Sequence, residues 1–522
     1  MKQARSDKLT PAVVLVADRT LSAGYKVLFE GILATMQTTA VPGFIMRRLL
    51  SPPAPTDADG RALLAPLGLR RVESALLEGG ELTGDDVAVT TPERLHELLG
   101  PWTRVLAISS SDFLGGGMSN TTTSSFWSGE LYTRRWTRRM LQGVRDAKRR
   151  WGFSILAGGA GAWQLVQNPD EASRLGIDVV FQGYFESAGP RVVRELLQGR
   201  NIHFHVRERR TCASKVTPIH GASCMGVVEL SRGCGNGCGY CTMGSTRMEH
   251  LPPELIAQDV RTNCRAGQTT AVSSSEDFFR YGSSDGEVNP DALCRLLEQL
   301  RREPVRFMQI DHANVSSVLQ FSDRQLWRVR KLLSSSPPTD YLWVNLGAES
   351  ANGELVSANG PGKLGDVQPG EWSQAVLETA EKLSRTGFFP VFSLVLGLPG
   401  ETPGDVRDTL RLVRRLSAGA AVIFPVFHEP VREGETSFTL EEMTLEHLEL
   451  YRTCYELNFR WVPRLFSDNQ RVGGAGRLRR TLFQMLGRGE VFSWRRNFAR
   501  LGRRLRNASD GPKYSAAVTD GG

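Results

Sequence analysis

Eight cysteines in 522 residues are too few for a disulfide scaffold. No apolar run approaches the roughly 18 residues needed to span a bilayer. The longer ones, such as residues 390–399, stop well short, which excludes a transmembrane helix. The opening, residues 1–19, carries Lys and Arg but only the short apolar run 12–17 before Asp18, so it does not read as a secretory signal, and a cytoplasmic protein is expected. Internal repeats, low-complexity blocks and a collagen-like period are missing too. With 40% hydrophobic and 23% charged residues, the composition suits a soluble globular enzyme and excludes wholesale disorder. At about 150 residues per domain, the length suggests two to four domains. The formal net charge of +8 is a poor guide to a partner, because the excess is local: over residues 452–506 fourteen Arg stand against Glu456, Asp468 and Glu490.

What is present is a rhythm of short β-rich runs and helical stretches. Runs 13–17, 105–108, 154–157 and 179–182 predict strands of a parallel, doubly wound sheet within residues 1–200. Three of them lead into loops of small residues: Ser109-Ser110-Ser111 followed by Gly115-Gly116-Gly117, then Gly158-Gly159-Ala160-Gly161, then Gly183-Tyr184-Phe185-Glu186. Ligands of open α/β sheets bind at the carboxyl ends of strands, where glycine lets a large cofactor approach the backbone, although glycine-rich turns also arise there without one. Residues 201–219 are polar and basic and read as a linker. Six further runs, 227–230, 270–273, 305–310, 341–346, 391–396 and 421–425, each leave room for a helix before the next. They predict a (β/α)6-type partial barrel over residues 220–439, with its chemistry at the carboxyl ends of the strands. Residues 440–522 are helical in pattern and basic, with a disordered polar tail from Asn507. Leu457, Phe459, Trp461, Leu465 and Phe483 give this region enough apolar surface to bury that a solvated helical face or a cap on the barrel mouth is favoured over nucleic-acid binding.

Three thiols crowd into eight residues directly after a strand, in Glu229-Leu230-Ser231-Arg232-Gly233-Cys234-Gly235-Asn236-Gly237-Cys238-Gly239-Tyr240-Cys241. Structural zinc wants a fourth ligand, usually from a second pair at similar spacing, and neither Cys212 with Cys224 nor Cys264 supplies one. Three thiolates, Cys234, Cys238 and Cys241, suit a 4Fe-4S cluster with one iron left open to a substrate or cofactor.

A CxxxCxxC loop after a first barrel strand, with Tyr240 just before the third cysteine, resembles the radical S-adenosylmethionine (SAM) superfamily. In that family the open iron chelates the amino and carboxylate groups of SAM. The resemblance assigns Ser275 and Glu276, in Ser274-Ser275-Glu276, to the methionine amino group. It places Glu349 and Ser350, in Gly347-Ala348-Glu349-Ser350, near the ribose, and Gly397-Leu398-Pro399 beside the adenine. The first domain is similar to the Rossmann-like domain of cobalamin-binding members. There Pro66-Leu67-Gly68-Leu69 opens the first helix, Gly158, Gly159 and Gly161 form the glycine loop, and residues 180–186 stand in place of the usual Gly-Glu pair, from which Gln182 departs. On this likeness Ser109, Ser111, Gly115, Gly116, Gly183 and Glu186 join the cofactor contacts. No DxHxxG stretch occurs, so a histidine below the cobalt is not expected, and Arg70 or Arg71, opening the helix after Gly68, could approach that face instead.

Short segments, among them Ala17-Asp18-Arg19-Thr20-Leu21 and Gly68-Leu69-Arg70-Arg71-Val72-Glu73, look most like the tryptophan 2-C-methyltransferases of thiopeptide biosynthesis. The resemblance therefore implies a methyl moving from SAM, by way of cobalamin, to a carbon such as C2 of tryptophan, with an external electron donor as partner. Candidate bases are Asp311 and His312 after the third barrel strand, and His428 with Glu429 after the sixth. Glu276 has a second reading, as an oxygen donor competing for the open iron. Radical methylation of an unactivated carbon and radical cyclisation or rearrangement remain alternatives, as does a non-enzymatic iron-sulfur or cobalamin sensor.

Overall fold

A computed structural model describes residues 10–210, 213–284, 286–333, 339–431 and 434–509. The first domain is a six-stranded parallel sheet of β1 (Val13–Ala17), β2 (Val87–Thr90), β3 (Val105–Ser109), β4 (Ser154–Gly158), β5 (Val179–Gln182) and β6 (His205–Arg207), in the spatial order β2-β1-β3-β4-β5-β6. Every residue of β1 is buried, because helices cover both faces of a parallel sheet, so its sequence Val-Val-Leu-Val-Ala is a continuous apolar run. Two strands were not legible. β2 is only four residues long, and β6 falls inside the stretch expected to be a linker. As an edge strand β6 contributes backbone hydrogen bonds to β5 while its side chains stay partly exposed, so its composition looks like a loop.

The second sheet is β7 (Val227–Glu229), β8 (Thr270–Ser274), β9 (Arg306–Ala313), β10 (Leu342–Glu349), β11 (Phe388–Leu396) and β12 (Val422–Phe427), all parallel and adjacent in chain order. These are the six expected strands of an open, partial barrel, with helices between them. Register slips interrupt the ladders at two carboxyl ends, between Ile310 and Ala313 and between Gly347 and Glu349. Such bulges re-aim side chains at a strand end. The segment after β11 closes with Thr402 and Asp405 in a reciprocal cap on the helix Pro403–Leu416, with Pro403 in its first turn.

The two domains are tied by buried charge. In α1 (Leu67–Leu77), Arg71 donates to Glu229 at 3.0 Å and to Asp259 at 2.5 Å. Arg70 reaches the carbonyls of Ala222 at 3.1 Å and Ala62 at 2.8 Å. A short parallel bridge, Leu64–Ala65 with Ala222–Ser223, runs beside them. In α2 (Met118–Phe126), Thr122 Oγ1 accepts from Phe427 N at the end of β12 at 2.8 Å. The chain ends in two long helices, α4 (Leu445–Val472) and α5 (Arg477–Ser509). No helix is long and apolar enough to cross a membrane among the described residues. The rest of the expected tail, residues 510–522, lies outside the described residues, as does Cys212.

Candidate active site

The carboxyl ends of the barrel strands face α2 and the loop before it across a cavity of about 2030 Å³. An ordinary small-molecule pocket is roughly 300–1,000 Å³, so there is room for more than one large ligand. Cys234, Cys238, Cys241, Tyr240, Ser275, Glu276, Asp311, His312, Glu349 and Gly116 all line it.

The cysteine loop can fold so tightly because Gly233, Gly235 and Gly237 take positive φ of 73°, 72° and 74°, a region costly for residues with a Cβ. The loop is clasped by the segment Asn359-Gly360-Pro361-Gly362-Lys363: Gly239 N donates to Asn359 O at 2.9 Å and Gly362 N to Asn236 O at 2.8 Å. Arg280 Nη1 holds the Cys234 carbonyl at 2.8 Å. Burial pushes the Cys234 thiol up to about 11, with the neighbouring thiols adding to the effect, and burial raises Cys241 as well. Buried thiols held this close together fit a site completed by a cationic iron centre. Among the described residues no three His, Cys, Asp or Glu converge tightly enough for a single ion.

Glu276 is half-buried at the end of β8, and its Oε2 is buried without a hydrogen-bond partner. Burial raises its pKa, while the nearby His312 acts the other way. A buried carboxyl oxygen without a partner, in a residue that lines the cavity with three thiols, is a candidate ligand for a cation. Asp311 and His312 occupy the bulge of β9, which turns both toward the mouth. Ser275 shares a short hydrogen bond with Ser231. Glu349, at φ 60° despite its Cβ, meets Lys363 Nζ at 2.7 Å. Such backbone strain tends to collect at functional sites.

Several expected contacts lie elsewhere. Arg70 and Arg71 do not line the cavity: both are buried in the domain junction, and their guanidinium groups are used up by the partners above, which excludes an approach to a ligand face there. Glu186 turns into the same junction, where Arg232 grips it at 2.7 and 2.9 Å while stacking on the Tyr184 ring. A Cβ on Gly159 or Gly161 would lie 2.8 Å from Ser110 O or Ser111 O, and one on Gly183 would strike the Glu208 carbonyl. The glycines of these two loops, with Gly158, Ser109 and Ser111 beside them, serve close packing between loops, a need that leaves the same sequence signature as cofactor approach. Gly115 packs on Leu131, and Gly116 alone of this set reaches the cavity. Ser350 bonds to Thr409 at 3.2 Å, and Leu398 packs with Cys238, Tyr240 and Met118 behind the cysteine loop. Gly397 donates to Glu401 Oε2 at 2.9 Å, and the Pro399 carbonyl accepts from Asn359 Nδ2 at 3.0 Å. His428 is buried, edge-on to Tyr240, and burial lowers its pKa; Glu429 lines the cavity, its pKa raised by burial.

Sequence reasoning missed two contributors, Asp112 and Lys363, while the expected cap on the barrel mouth is formed by α5. Asp112 organises the Gly116 loop by accepting from Gly116 N at 2.8 Å and Gln164 Nε2 at 2.7 Å. Lys363 was hidden in a Gly-Pro-Gly turn far from any strand-end motif. Residues 483–495 of α5 lie along the cavity as a cover, anchored where Trp494 and Phe498 pack on Tyr455 and Phe126. On the first-domain side Gly116, Gly117, Met118, Thr122, Thr123 and Trp163 form a wall of small and apolar groups. Such a wall fits a broad, flat macrocycle, and His312, on the barrel side, is the one histidine among the described lining residues.

Residues 228–413 match the family model described as the Radical SAM superfamily. Curated relatives include a tRNA-2-methylthio-N(6)-dimethylallyladenosine synthase of Thermus thermophilus, 23% identical over 296 residues, covering 55% of this chain and 58% of that protein. A threonylcarbamoyladenosine tRNA methylthiotransferase of Danio rerio is 24% identical over 229 residues, covering 44% of this chain and 39% of that protein. The chain thus spans about half the length of these relatives or less. Among solved structures, the fold is similar to the radical SAM methyltransferase TsrM of Kitasatospora setae. The form with cobalamin and a [4Fe-4S] cluster bound gives a TM-score of 0.51 at 14% identity, over 80% of this chain and 72% of that one. The form with tryptophan substrate and a SAM analogue gives 0.54 at 14% identity, over 80% and 75%.

Proposed function

We propose that this chain is a cobalamin-dependent radical SAM methyltransferase that delivers the methyl of SAM to a carbon acceptor, with C2 of tryptophan the favoured acceptor. The observation that carries the reading is the convergence of the three cysteines, Glu276, Asp311 and the Gly116 wall on one cavity large enough for two cofactors and a substrate. When bound, the cluster would anchor SAM and cobalamin would supply the methyl-relaying cobalt.

The chain's own residues then have distinct tasks. Cys234, Cys238 and Cys241 would hold the cluster, and Glu276, which lines the same cavity with an unpartnered oxygen, would be the chain's own oxygen donor competing for it. The wall of Gly116, Gly117, Met118, Thr122, Thr123 and Trp163 would hold cobalamin when it is bound. Asp311 would accept the indole N–H proton, directly or through a water, as C2 takes the methyl and the methyl's bond to its donor breaks; the C2 proton then leaves and Asp311 returns its proton to the ring nitrogen, so that the indole is restored with one proton released per turnover. The cover formed by α5 excludes water. Two of its arginines tie it to the rest of the chain, Arg479 to Glu30 at 3.0 Å and Arg495 to Glu456 at 2.8 Å. A cytoplasmic setting with an external electron donor completes the reading.

The test is anaerobic turnover of reconstituted protein with tryptophan and SAM carrying a deuterated methyl, read by mass. Labelled methyltryptophan and S-adenosylhomocysteine in equal amounts, with little 5'-deoxyadenosine, are expected. Stoichiometric 5'-deoxyadenosine would move the enzyme to the radical branch with an unactivated acceptor, and a mass-neutral product would make it a cyclase or rearranging enzyme.

A further inference from the structure

Lys363 belongs to no motif of the cysteine loop or strand ends, yet it lines the cavity beside that loop. It closes the turn that clasps the cysteine loop, and the fit there is close: a Cβ on Gly360 would lie 2.8 Å from Cys238 Sγ. The ammonium is therefore held at a set reach from the thiols. It interacts electrostatically with Cys238, Cys234 and Cys241. On its other side stands Glu349, whose Oε1 accepts from Nζ at 2.7 Å and whose Oε2 has only a long contact of 3.5 Å with Ser393 Oγ. Gly347 leaves the space for this pair, since a Cβ there would collide with both Glu349 Oε1 and Lys363 Nζ. A strand bulge and a positive φ at Glu349 complete the aim. Three separate backbone features thus converge on placing one cation beside three thiols.

We infer that Lys363 is the charge-compensating residue of the cluster site: its ammonium offsets the negative charge that the thiolates bring, and Glu349 sets how much of that offset is felt. The inference rests on the reading that the cysteines hold a 4Fe-4S cluster. One-electron reduction adds negative charge to such a centre without breaking a bond. A fixed cation in a site of low dielectric therefore favours the reduced form, and net charge around the cluster is one of the levers on its potential. Lys363 is in this sense a positioning residue that acts through the cluster.

The measurement is a dithionite titration of the reconstituted full chain, followed by the paramagnetic signal of the reduced cluster. Lys363→Met keeps the length of the stem and removes the charge. It should lower the one-electron reduction equilibrium at least tenfold, about 59 mV toward negative potential. Glu349→Gln should shift it in the opposite direction, because the ammonium is then unopposed, and Lys363→Arg should stay within about threefold of the parent. A purely structural pair would not give shifts of opposite sign. An unchanged or positive shift in Lys363→Met, or shifts of the same sign in both variants, would overturn the inference. Should Lys363→Met fail to retain iron, Glu349→Gln decides alone: a positive shift supports the inference and anything else defeats it. Failure of the parent chain itself to hold iron and sulfide would sink the cluster reading instead, so the two failures are distinguishable.

Discussion

Replacing Arg232 by Met tests how the two domains are held in register. Arg232 is 2% exposed and lies two residues before Cys234. Its guanidinium is bidentate to Glu186 at 2.7 and 2.9 Å, bonds Glu229 at 2.8 Å, and stacks on Tyr184 with 4.2 Å to the ring centroid. The substitution leaves Glu229 with Arg71, but it strands the Glu186 carboxylate, which has no other hydrogen-bond partner among the described residues. Breaking a buried pair from one side costs about 3–5 kcal/mol. At 1.4 kcal/mol per tenfold, that is roughly a hundredfold to several thousandfold more frequent opening of the junction, provided opening is local. Amide hydrogen exchange in α3 (Phe185–Leu197) and β7 reads it directly. The double variant Arg232→Met with Glu186→Leu should recover most of the loss, since it removes both charges. An opening rate raised less than tenfold, or a double variant no better than the single one, would refute the reasoning.

Changing Cys234, Cys238 and Cys241 together to Ala should abolish the visible charge-transfer absorption of the reconstituted protein; full iron and sulfide content in that variant would contradict the cluster assignment. Asp311→Asn should slow methylated-product formation by roughly 10² or more at unchanged cluster content, as for a positioned base, and a parent-like rate would remove Asp311 from that role. Asp277, wholly buried, is pushed up to about 6 by burial, with Arg280 and a 2.9 Å bond from Ser317 only partly offsetting it. A carboxyl raised in the fold gives stability that is complete below its unfolded value of 3.8 and lost as pH rises through about 6. Asp277→Asn should therefore gain on the parent in urea denaturation between pH 4 and about 7, and a pH-independent difference would argue against it.

Local chemistry was readable in the chain itself. The CxxxCxxC loop, the alternation of strand and helix, and the small-residue strand ends depend on residues a few positions apart, so spacing alone points to a cluster loop, a doubly wound sheet and a partial barrel. Asp311 and His312 were accessible in the same way, because a residue just past a barrel strand must face the mouth. Partnership across the fold was not accessible. Arg70 and Arg71 looked free at a helix start, and only docking of α1 on the barrel reveals that Glu229 and Asp259, more than 150 residues away, consume Arg71. Glycines 159, 161 and 183 carry the same signature for loop packing as for cofactor approach, and the register of the neighbouring loops decides which applies. Lys363 acquires meaning only when its turn is laid along the cysteine loop, and which stretch of the basic C-terminal region covers the cavity is set only when Trp494 packs on Tyr455 and Phe126. Sequence determines which groups can do chemistry; the tertiary structure decides which of them remain unengaged at the cavity, because a buried charge must first satisfy its nearest opposite neighbour.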